Sequence, residues 1–503
     1  MQRNGRMAPP MPRTVAHVGL PTRTASTVRG ARNGGGRASS PKRRRSGTLW
    51  ADRNFLTLWG GQALSQIGAQ IAQVAMPVVA VLLLRATDFQ VGVLSAASVA
   101  AFLVIGLPAG AWIDRLRKRR VMIAADAVRA GALAAIPILW ASGSLHIWHL
   151  YVIATIMGVA TVFFDVSYQS LIPALVGPAH ISEANSKLES TQQIARLVGP
   201  AASGGLIGLF SAPLVIVITV ATYLGSFGAL VRTRSNEPKH TRVGAKPLGR
   251  EIAEGLQWVF GNPLLRRIVV AIALSNIFSQ IAFTLQPILI LRILGMSATT
   301  MGAILSIAAC GGLAGALTAT RLSRRFGDSR LIPCAAILWC VAGLLMPVAA
   351  AFPAAAFAIL AIEGALMSYG ILVFNVIQVS FRQRVTPPHL LGRMNASVRF
   401  MFWGAMPIGS MLAGALGSHL GTVAAIWIGA IGQIAGLSLL ICGPFWSRGT
   451  LPATAQEMMD EATSRTRARV VSKGTIHAVQ DEEPWVLDTT TEQRQTPLVT
   501  AVD

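Results

Sequence analysis

The chain has 503 residues, and only 13% are charged against about a quarter in an ordinary globular protein, so a soluble domain is excluded as its main body. Hydrophobic residues make up 52% and mean hydropathy is +0.54. A formal charge of +23 would point to nucleic acid in a soluble chain. Here the Lys and Arg sit in the tails and between apolar runs, so membrane topology is the better reading and no nucleic-acid partner is expected.

In chain order, residues 1–50 are rich in Arg and contain no acid, the first being Asp52, and they contain no apolar core for a signal peptide. They read as a disordered basic cytoplasmic tail. A start codon placed too far upstream and a targeting segment are the alternatives. Twelve apolar helical runs follow, at 55–84, 89–113, 121–141, 148–173, 189–210, 213–231, 267–291, 299–320, 331–351, 354–380, 396–417 and 422–445, each near the length that spans a bilayer. The expected fold class is an all-α membrane protein with twelve transmembrane helices. Its expected parts are an N-terminal six-helix bundle (51–231), a cytoplasmic linker (232–266) with a short amphipathic helix at Glu251–Phe260, a C-terminal six-helix bundle (267–446) and a disordered cytoplasmic tail (447–503).

The connections alternate in charge. Arg115, Arg117, Lys118, Arg119 and Arg120 follow the second run. Arg321, Arg324, Arg325 and Arg330 follow the eighth, and Arg382, Arg384 and Arg393 the tenth. The intervening connections carry little beyond Arg85 and Arg292. The bias places both termini in the cytoplasm; the expected location is the plasma membrane. Cys310, Cys334, Cys340 and Cys442 all fall in apolar runs without metal-ligand spacing and read as small packing residues.

The chain repeats itself 210 residues on. Leu64-Ser65-Gln66-Ile67-Gly68-Ala69-Gln70-Ile71-Ala72 returns as Leu274-Ser275-Asn276-Ile277-Phe278-Ser279-Gln280-Ile281-Ala282, and Phe164-Asp165-Val166 as Phe374-Asn375-Val376. Asn185 matches Asn395, Gly199 matches Gly409 and Gly204 matches Gly414. Two membrane-embedded halves of this kind form a transporter architecture with the substrate site between them.

Within the first half, Gln62, Gln66, Gln70 and Gln73 lie on one helix face, and Asn276 and Gln280 repeat it, joined by Thr284. Such amides either line a polar cavity or hold helices together. Phe163, Phe164, Tyr168, Tyr369 and Phe374 are candidates for an apolar wall or for plain packing. Intramembrane acids are costly and functional by default. Asp165, with Asn375 as its neutral counterpart, is a candidate proton carrier, since an apolar cavity favours a protonated carboxyl that releases its proton as access alternates; the alternative is a structural partner for Arg129. Glu363 is a second candidate. Asp126 and Arg129, three apart on one face, read as a structural pair that could also take part in coupling.

The loop Gly110-Ala111-Trp112-Ile113-Asp114-Arg115-Leu116-Arg117-Lys118-Arg119-Arg120 resembles the signature loop of the major facilitator superfamily, with Arg117 where the family has a second glycine. Its echo in the second half, Gly311-Gly312-Leu313-Ala314-Gly315 followed by Arg321, Arg324 and Arg325 at an offset of 205, has Ala319 in place of the acid. Phe163-Phe164-Asp165, Ile172-Pro173, Glu183-Ala184-Asn185, Arg196-Leu197-Val198-Gly199-Pro200 and Leu391-Gly392-Arg393-Met394 look like the drug and siderophore exporter branch, which contains macrolide-efflux and enterobactin-exporter proteins. Gly199-Pro200 with Gly204 partly matches the antiporter motif of the superfamily and is otherwise a packing feature.

The resemblance covers about 50–445. It implies two pseudo-symmetric six-helix bundles, a cavity lined by the first, fourth, seventh and tenth helices, and a conformational-switch loop at Gly110, Asp114, Arg115, Arg119 and Arg120. It also implies a secondary exporter of a small organic molecule driven by the proton gradient, with no cofactor, acting as a monomer. A nutrient importer and a non-transporting sensor or scaffold are the alternatives; a mid-membrane Arg would favour the importer and none is evident, since Arg196 and Arg399 lie close enough to the cytoplasmic side to snorkel. An enzyme is not expected, because His146, His149, His180, His389 and His419 are scattered at helix ends. No Gly-Lys-Ser/Thr phosphate loop is present, so ATP is not the expected energy source.

Overall fold

The computed structural model describes residues 52–113, 116–177, 180–234 and 248–442, with isolated positions at 49, 445–446, 454 and 456–457. The expected tails fall outside these residues apart from the isolated positions, as does 235–247 of the linker.

The first half holds α1 (Arg53–Val78), α2 (Asp88–Ile113), α3 (Lys118–Ala141), α4 (Ile147–Val176), α5 (Ile181–Leu209) and α6 (Ala212–Arg232). The linker contains α7 (Leu248–Gly261). The second half holds α8 (Pro263–Ile288), α9 (Ala298–Phe326), α10 (Asp328–Gly343) continued by the short α11 (Leu345–Ala349), α12 (Ala356–Arg384), α13 (Leu391–Leu420) and α14 (Thr422–Ile441). Counting α10 and α11 as one span, twelve long segments are present among the described residues. Eleven are long and apolar enough to cross a membrane. The segment outside that set is α5, whose first turns carry Glu183, Lys187 and Glu189. The break between α10 and α11 has a covalent cause, since Pro347 has no N–H to continue the helical ladder.

The repeat extends to backbone details that apolar runs do not reveal. Asp52 caps α1 by accepting from Asn54 N at 2.9 Å, and Asn262, 210 residues on, caps α8 by accepting from Leu264 N at 3.1 Å. These caps start the two helices two and four residues before the apolar runs do. Both helices then end in a π-helical turn, Val79–Leu83 and Leu289–Ile293. Packing is preserved by exchange. A Cβ on Gly68 would meet Thr222 Oγ1 at 2.0 Å, while in the second half Phe278 stands at the Gly68 position and packs on Gly432, at the Thr222 position, where a Cβ would meet its ring at 2.1 Å. The large and small partners have changed helices, leaving the sum at the contact similar.

Two readings are corrected. The basic clusters are not loops: Lys118, Arg119 and Arg120 open α3, Arg321, Arg324 and Arg325 lie in α9, Arg382 and Arg384 end α12, and Arg393 begins α13. Long cationic side chains let a helix run past its apolar stretch while the charge seeks water. Arg382 is even buried, with its guanidinium over the Phe402 ring at 5.5 Å. Of the cysteines only Cys340 is buried; Cys310, Cys334 and Cys442 are exposed on their helices, so they do not pack a core.

Packing within the halves follows small residues. In the second half α9 lies close on α12 because Gly311 and Gly315 face Ala365 and Tyr369. The amphipathic α7 docks on the basic end of α13: Gly255 lies against Arg393 O, Glu254 pairs with Arg393, and Trp258 Nε1 donates to Thr386 Oγ1 at 3.3 Å. Between the halves, α2 packs on α13 and α5 on α9.

Candidate functional site

The space between the bundles is bounded by these two helix pairs, and both are built on the same glycines. A Cβ on Gly204 of α5 would come 2.6 Å from Ala298 O and 3.2 Å from Gly302 Cα of α9. Its repeat partner Gly414 of α13 meets Phe89 and Gly92 of α2, with Gly92 Cα 3.2 Å from such a Cβ. Around Pro200, Ala201 N donates to Ser306 Oγ at 3.0 Å, and Thr299 Oγ1 donates to Gly204 O at 2.9 Å. Gly199 faces α1 within its own bundle, where a Cβ would lie 2.4 Å from Gln70 Cβ; Gly409 does the same with Gln280 at 2.8 Å. Within the glycine and proline motif, Pro200 and Gly204 are therefore where one bundle meets the other, while Gly199 packs inside its own.

Polar groups gather on one side of this seam, toward the end away from the basic residues. Ser95 of α2 lies 3.1 Å from Thr284 Oγ1 of α8 and 3.0 Å from Ser410 Oγ of α13, and Gln280 Nε2 donates to Ser410 Oγ at 3.2 Å. Four hydroxyl and amide groups from three helices thus tie the bundles together. Sequence reasoning found Gln280 and Thr284 but missed Ser95 and Ser410, whose repeat positions are Leu305 and Pro200 and so give no echo. Asn276 is committed differently, donating to Phe402 O at 3.2 Å. In the first half Gln66 and Gln70 are half-buried and Gln73 is exposed, with no side-chain hydrogen bond recorded for them among the described residues. The two amide stripes therefore occupy equivalent places in the fold and are bonded differently.

The predicted acids separate into three environments. Asp126 and Arg129 form a buried pair at 3.3 Å, and the Arg129 guanidinium lies 4.4 Å from the Phe164 ring centroid and 5.5 Å from that of Tyr223. Asp165, one residue beyond Phe164, is half-buried and bonded to no side chain among the described residues, while the charges of Arg129 and, from the other bundle, Arg399 act on it. Glu363 is 1% exposed, and its Oε1 has no hydrogen-bond partner among the described residues. The structure brings Asp126, Arg129 and Asp165 together and leaves Glu363 elsewhere, in the other bundle.

The aromatic and switch residues are also dispersed. Phe163 stacks on Trp112 with centroids 6.2 Å apart, joining α4 to α2. Tyr369 receives a hydrogen bond from Thr318 at 3.0 Å between α9 and α12, and exposed Asn375 accepts from Gln378 Nε2 at 3.3 Å. Phe102 and Trp403 pack across the seam at 4.5 Å. In the switch loop, Asp114 and Arg115 lie outside the described residues, Gly110 is within α2 and Arg120 is exposed. Arg119 donates to the last carbonyls of α6, Leu230 O at 2.8 Å and Val231 O at 2.5 Å, which favours a cation at a helix C-terminus. The second-half echo does have an acid: Asp328 binds both Ser323 and Arg384. It was missed because the loop echo, read at an offset of 205, pointed to Ala319, which is buried. Among the described residues no cluster of three or more His, Cys, Asp or Glu could hold a metal ion.

A family profile described as transmembrane secretion effector matches residues 49–471. Macrolide efflux protein A of Streptococcus pyogenes is 25% identical over 376 residues, which is 73% of this chain and 90% of that protein. Multidrug efflux pump Tap of Mycolicibacterium fortuitum is 26% identical over 330 residues, 63% of this chain and 78% of the pump. Among solved structures, a point mutant of the nucleoside transporter NupG aligns with a TM-score of 0.65 at 12% identity, covering 77% of this chain and 99% of that one. A bacterial homologue of the iron transporter ferroportin, in an inward-facing state, aligns at 0.59 and 18% identity over 79% and 100%. At these identities the solved structures speak for the fold alone.

Proposed function

Because the chain belongs to the transmembrane secretion effector family of major facilitator superfamily transporters, we propose that it exports small organic molecules from the cytoplasm in exchange for protons, by rocking its two bundles about the space between them. The protein sits in the plasma membrane as a monomer with its basic end and both termini in the cytoplasm, in keeping with the Lys and Arg bias of its connections. The substrate class follows the printed names of its relatives, a macrolide efflux protein and a multidrug efflux pump.

One observation supports alternating access most directly. The hydrogen bonds that join the bundles, at Ser95, Thr284 and Ser410, at Ala201 and Ser306, and at Thr299 and Gly204, lie between mid-depth and the end away from the basic residues. This arrangement supports the reading of a transporter shut toward the outside. Asp165 is the acid best placed to carry the proton, since it lies toward the basic half of α4 and is bonded to no side chain among the described residues, whereas Asp126 is held by Arg129. No resident cofactor takes part in this scheme.

A second reading, import of an anionic nutrient, draws on Arg399, which is exposed along α13 and acts electrostatically on Asp165. The two readings part in proteoliposomes with an imposed pH gradient, challenged with macrolides, other lipophilic drugs and anionic nutrients. Drug-induced proton flux that is lost in Asp165→Asn supports export. Flux with anionic nutrients alone supports the second reading, and unchanged coupling in Asp165→Asn removes that residue from the mechanism.

A further inference from the structure

At the end away from the basic residues, two charged side chains cross between the bundles in opposite directions. Arg292, in the π-helical turn that ends α8, donates from Nη2 to Ala86 O at 2.6 Å and to Val81 O at 3.3 Å in the first bundle. Asp88, the first residue of α2, accepts from Thr422 Oγ1 at 2.5 Å at the start of α14 in the second bundle. Its carboxylate also lies against α13, where a Cβ on Gly417 would meet Oδ2 at 2.7 Å. Neither charge has a counterion among the described residues; each is bonded to neutral groups.

These contacts are not copies of one repeated contact. The positions equivalent to Arg292, Asp88 and Thr422 are Leu82, Ala298 and Ala212, none of which can reproduce the bonds. The glycine contacts of the seam obey the repeat, so the charged pair of contacts has been laid over a symmetric scaffold. Their chemistry suits a reversible closure. A charge bonded to a carbonyl or a hydroxyl at the rim of the protein exchanges those bonds for water when the bundles part, so opening strands no buried ion and the net difference stays small.

We propose that Arg292 and Asp88 form an outer clasp that sets the balance between the state closed at this end and the state open there. The proposal rests on the alternating-access reading above. A ligand or proton shifts such a two-state balance only by its differential affinity for the two states, so a clasp that is too strong would hold the transporter shut, and its loss would leave it open outward.

Spin labels at Ser142 and Ala354, exposed at this end in the two bundles, report on the clasp; labels at Ser186 of α5 and Thr320 of α9 report on the basic end. Each pair is placed in the full-length protein with its four cysteines replaced by alanine, in lipid nanodiscs without substrate, and distances are read by pulsed electron resonance. Arg292→Ala is expected to raise the ratio of long to short Ser142–Ala354 distances about tenfold, the scale of one lost charge-assisted hydrogen bond. Thr422→Val, which removes the donor to Asp88 without altering a charge, shifts it in the same direction and guards against a folding defect in the first variant. An unchanged ratio in both variants, with the basic-end pair still sampling two distances, overturns the clasp and leaves alternating access standing. A single fixed distance for both label pairs in every protein overturns alternating access and the clasp with it.

Discussion

Gly92 of α2 and Gly414 of α13 meet backbone to backbone: a Cβ on Gly92 would lie 2.6 Å from Gly414 Cα and 2.8 Å from Ser410 O. The repeat supplies the matching contact, in which a Cβ on Gly302 would lie 2.3 Å from Pro200 O and 3.1 Å from Gly204 Cα. Main chains cannot yield as the tip of a side chain can, so Gly92→Val should prop the bundles apart where they now touch. Transport is expected to fall at least about tenfold while membrane insertion and unfolding temperature change little. Gly131→Ala, with nothing within 4 Å of the added carbon, is the control and should transport normally. A Gly92→Val protein that transports at the wild-type rate would show that this contact is not remade in the cycle.

The buried pair of Asp126 and Arg129 leads to a second prediction. Removing one partner of a buried pair strands the other charge, at a cost of about 3–5 kcal/mol, while replacing both with apolar groups is often close to neutral. The second half already carries the apolar version. Ala336 and Trp339 stand at the equivalent positions, Trp339 packs on Phe374 at 6.1 Å, and Gln433 Nε2 donates to Trp339 O at 3.3 Å. Asp126→Ala and Arg129→Trp singly should each lower the unfolding temperature, and the double variant should recover most of the loss. Strictly additive losses in thermal unfolding would mean that the two charges do not support one another.

Arg85 is the one non-glycine residue with positive φ among the described residues, at 51°, and its repeat partner is Gly295 at 62°. The left-handed region costs an ordinary residue roughly 1–2 kcal/mol. Arg85→Gly should therefore raise stability by about 1 kcal/mol, less the added chain entropy of glycine, and Gly295→Ala should lower it by a similar amount. Thermal unfolding of the two variants in one detergent checks the signs, and a destabilised Arg85→Gly protein would mean that the Arg85 side chain makes up for its backbone.

The seat of α7 can be tested through Gly255, where a Cβ would fall 2.4 Å from Arg393 O and 2.5 Å from Ser397 Oγ. Gly255→Leu should lift α7 from the second bundle and break the pairing of Glu254 with Arg393. Faster proteolysis near α7, with the helices on either side left intact, is the expected result. An unchanged cleavage pattern would mean that α7 is held by other contacts.

Much of this architecture was legible in the chain because burial in lipid leaves a strong mark on sequence. The spans and the two halves follow from apolar runs and the 210-residue repeat. The helix ends were less legible. Asp52 and Asn262 begin α1 and α8 with a side-chain bond rather than with apolarity, and Arg382 and Arg384 prolong α12 beyond its apolar stretch. Asp328 was hidden because the second half places its acid after α9 rather than at the position matching Asp114.

The sequence by itself determined the family, the repeat and the list of polar residues inside the membrane, since each depends on composition and spacing along one chain. Only the tertiary structure decided which of them meet. It left Asp165 without a bonded side chain among the described residues, beside an Asp126–Arg129 pair that the spacing of three already predicts. It placed Ser95 with Thr284 and Ser410, and carried Arg292 to the carbonyls of Val81 and Ala86. The hydrogen bonds across the seam join residues 95 to 334 positions apart and, unlike its glycine contacts, break the repeat, so neither local periodicity nor internal symmetry can signal them; they exist because two bundles of similar fold present different side chains to a common seam.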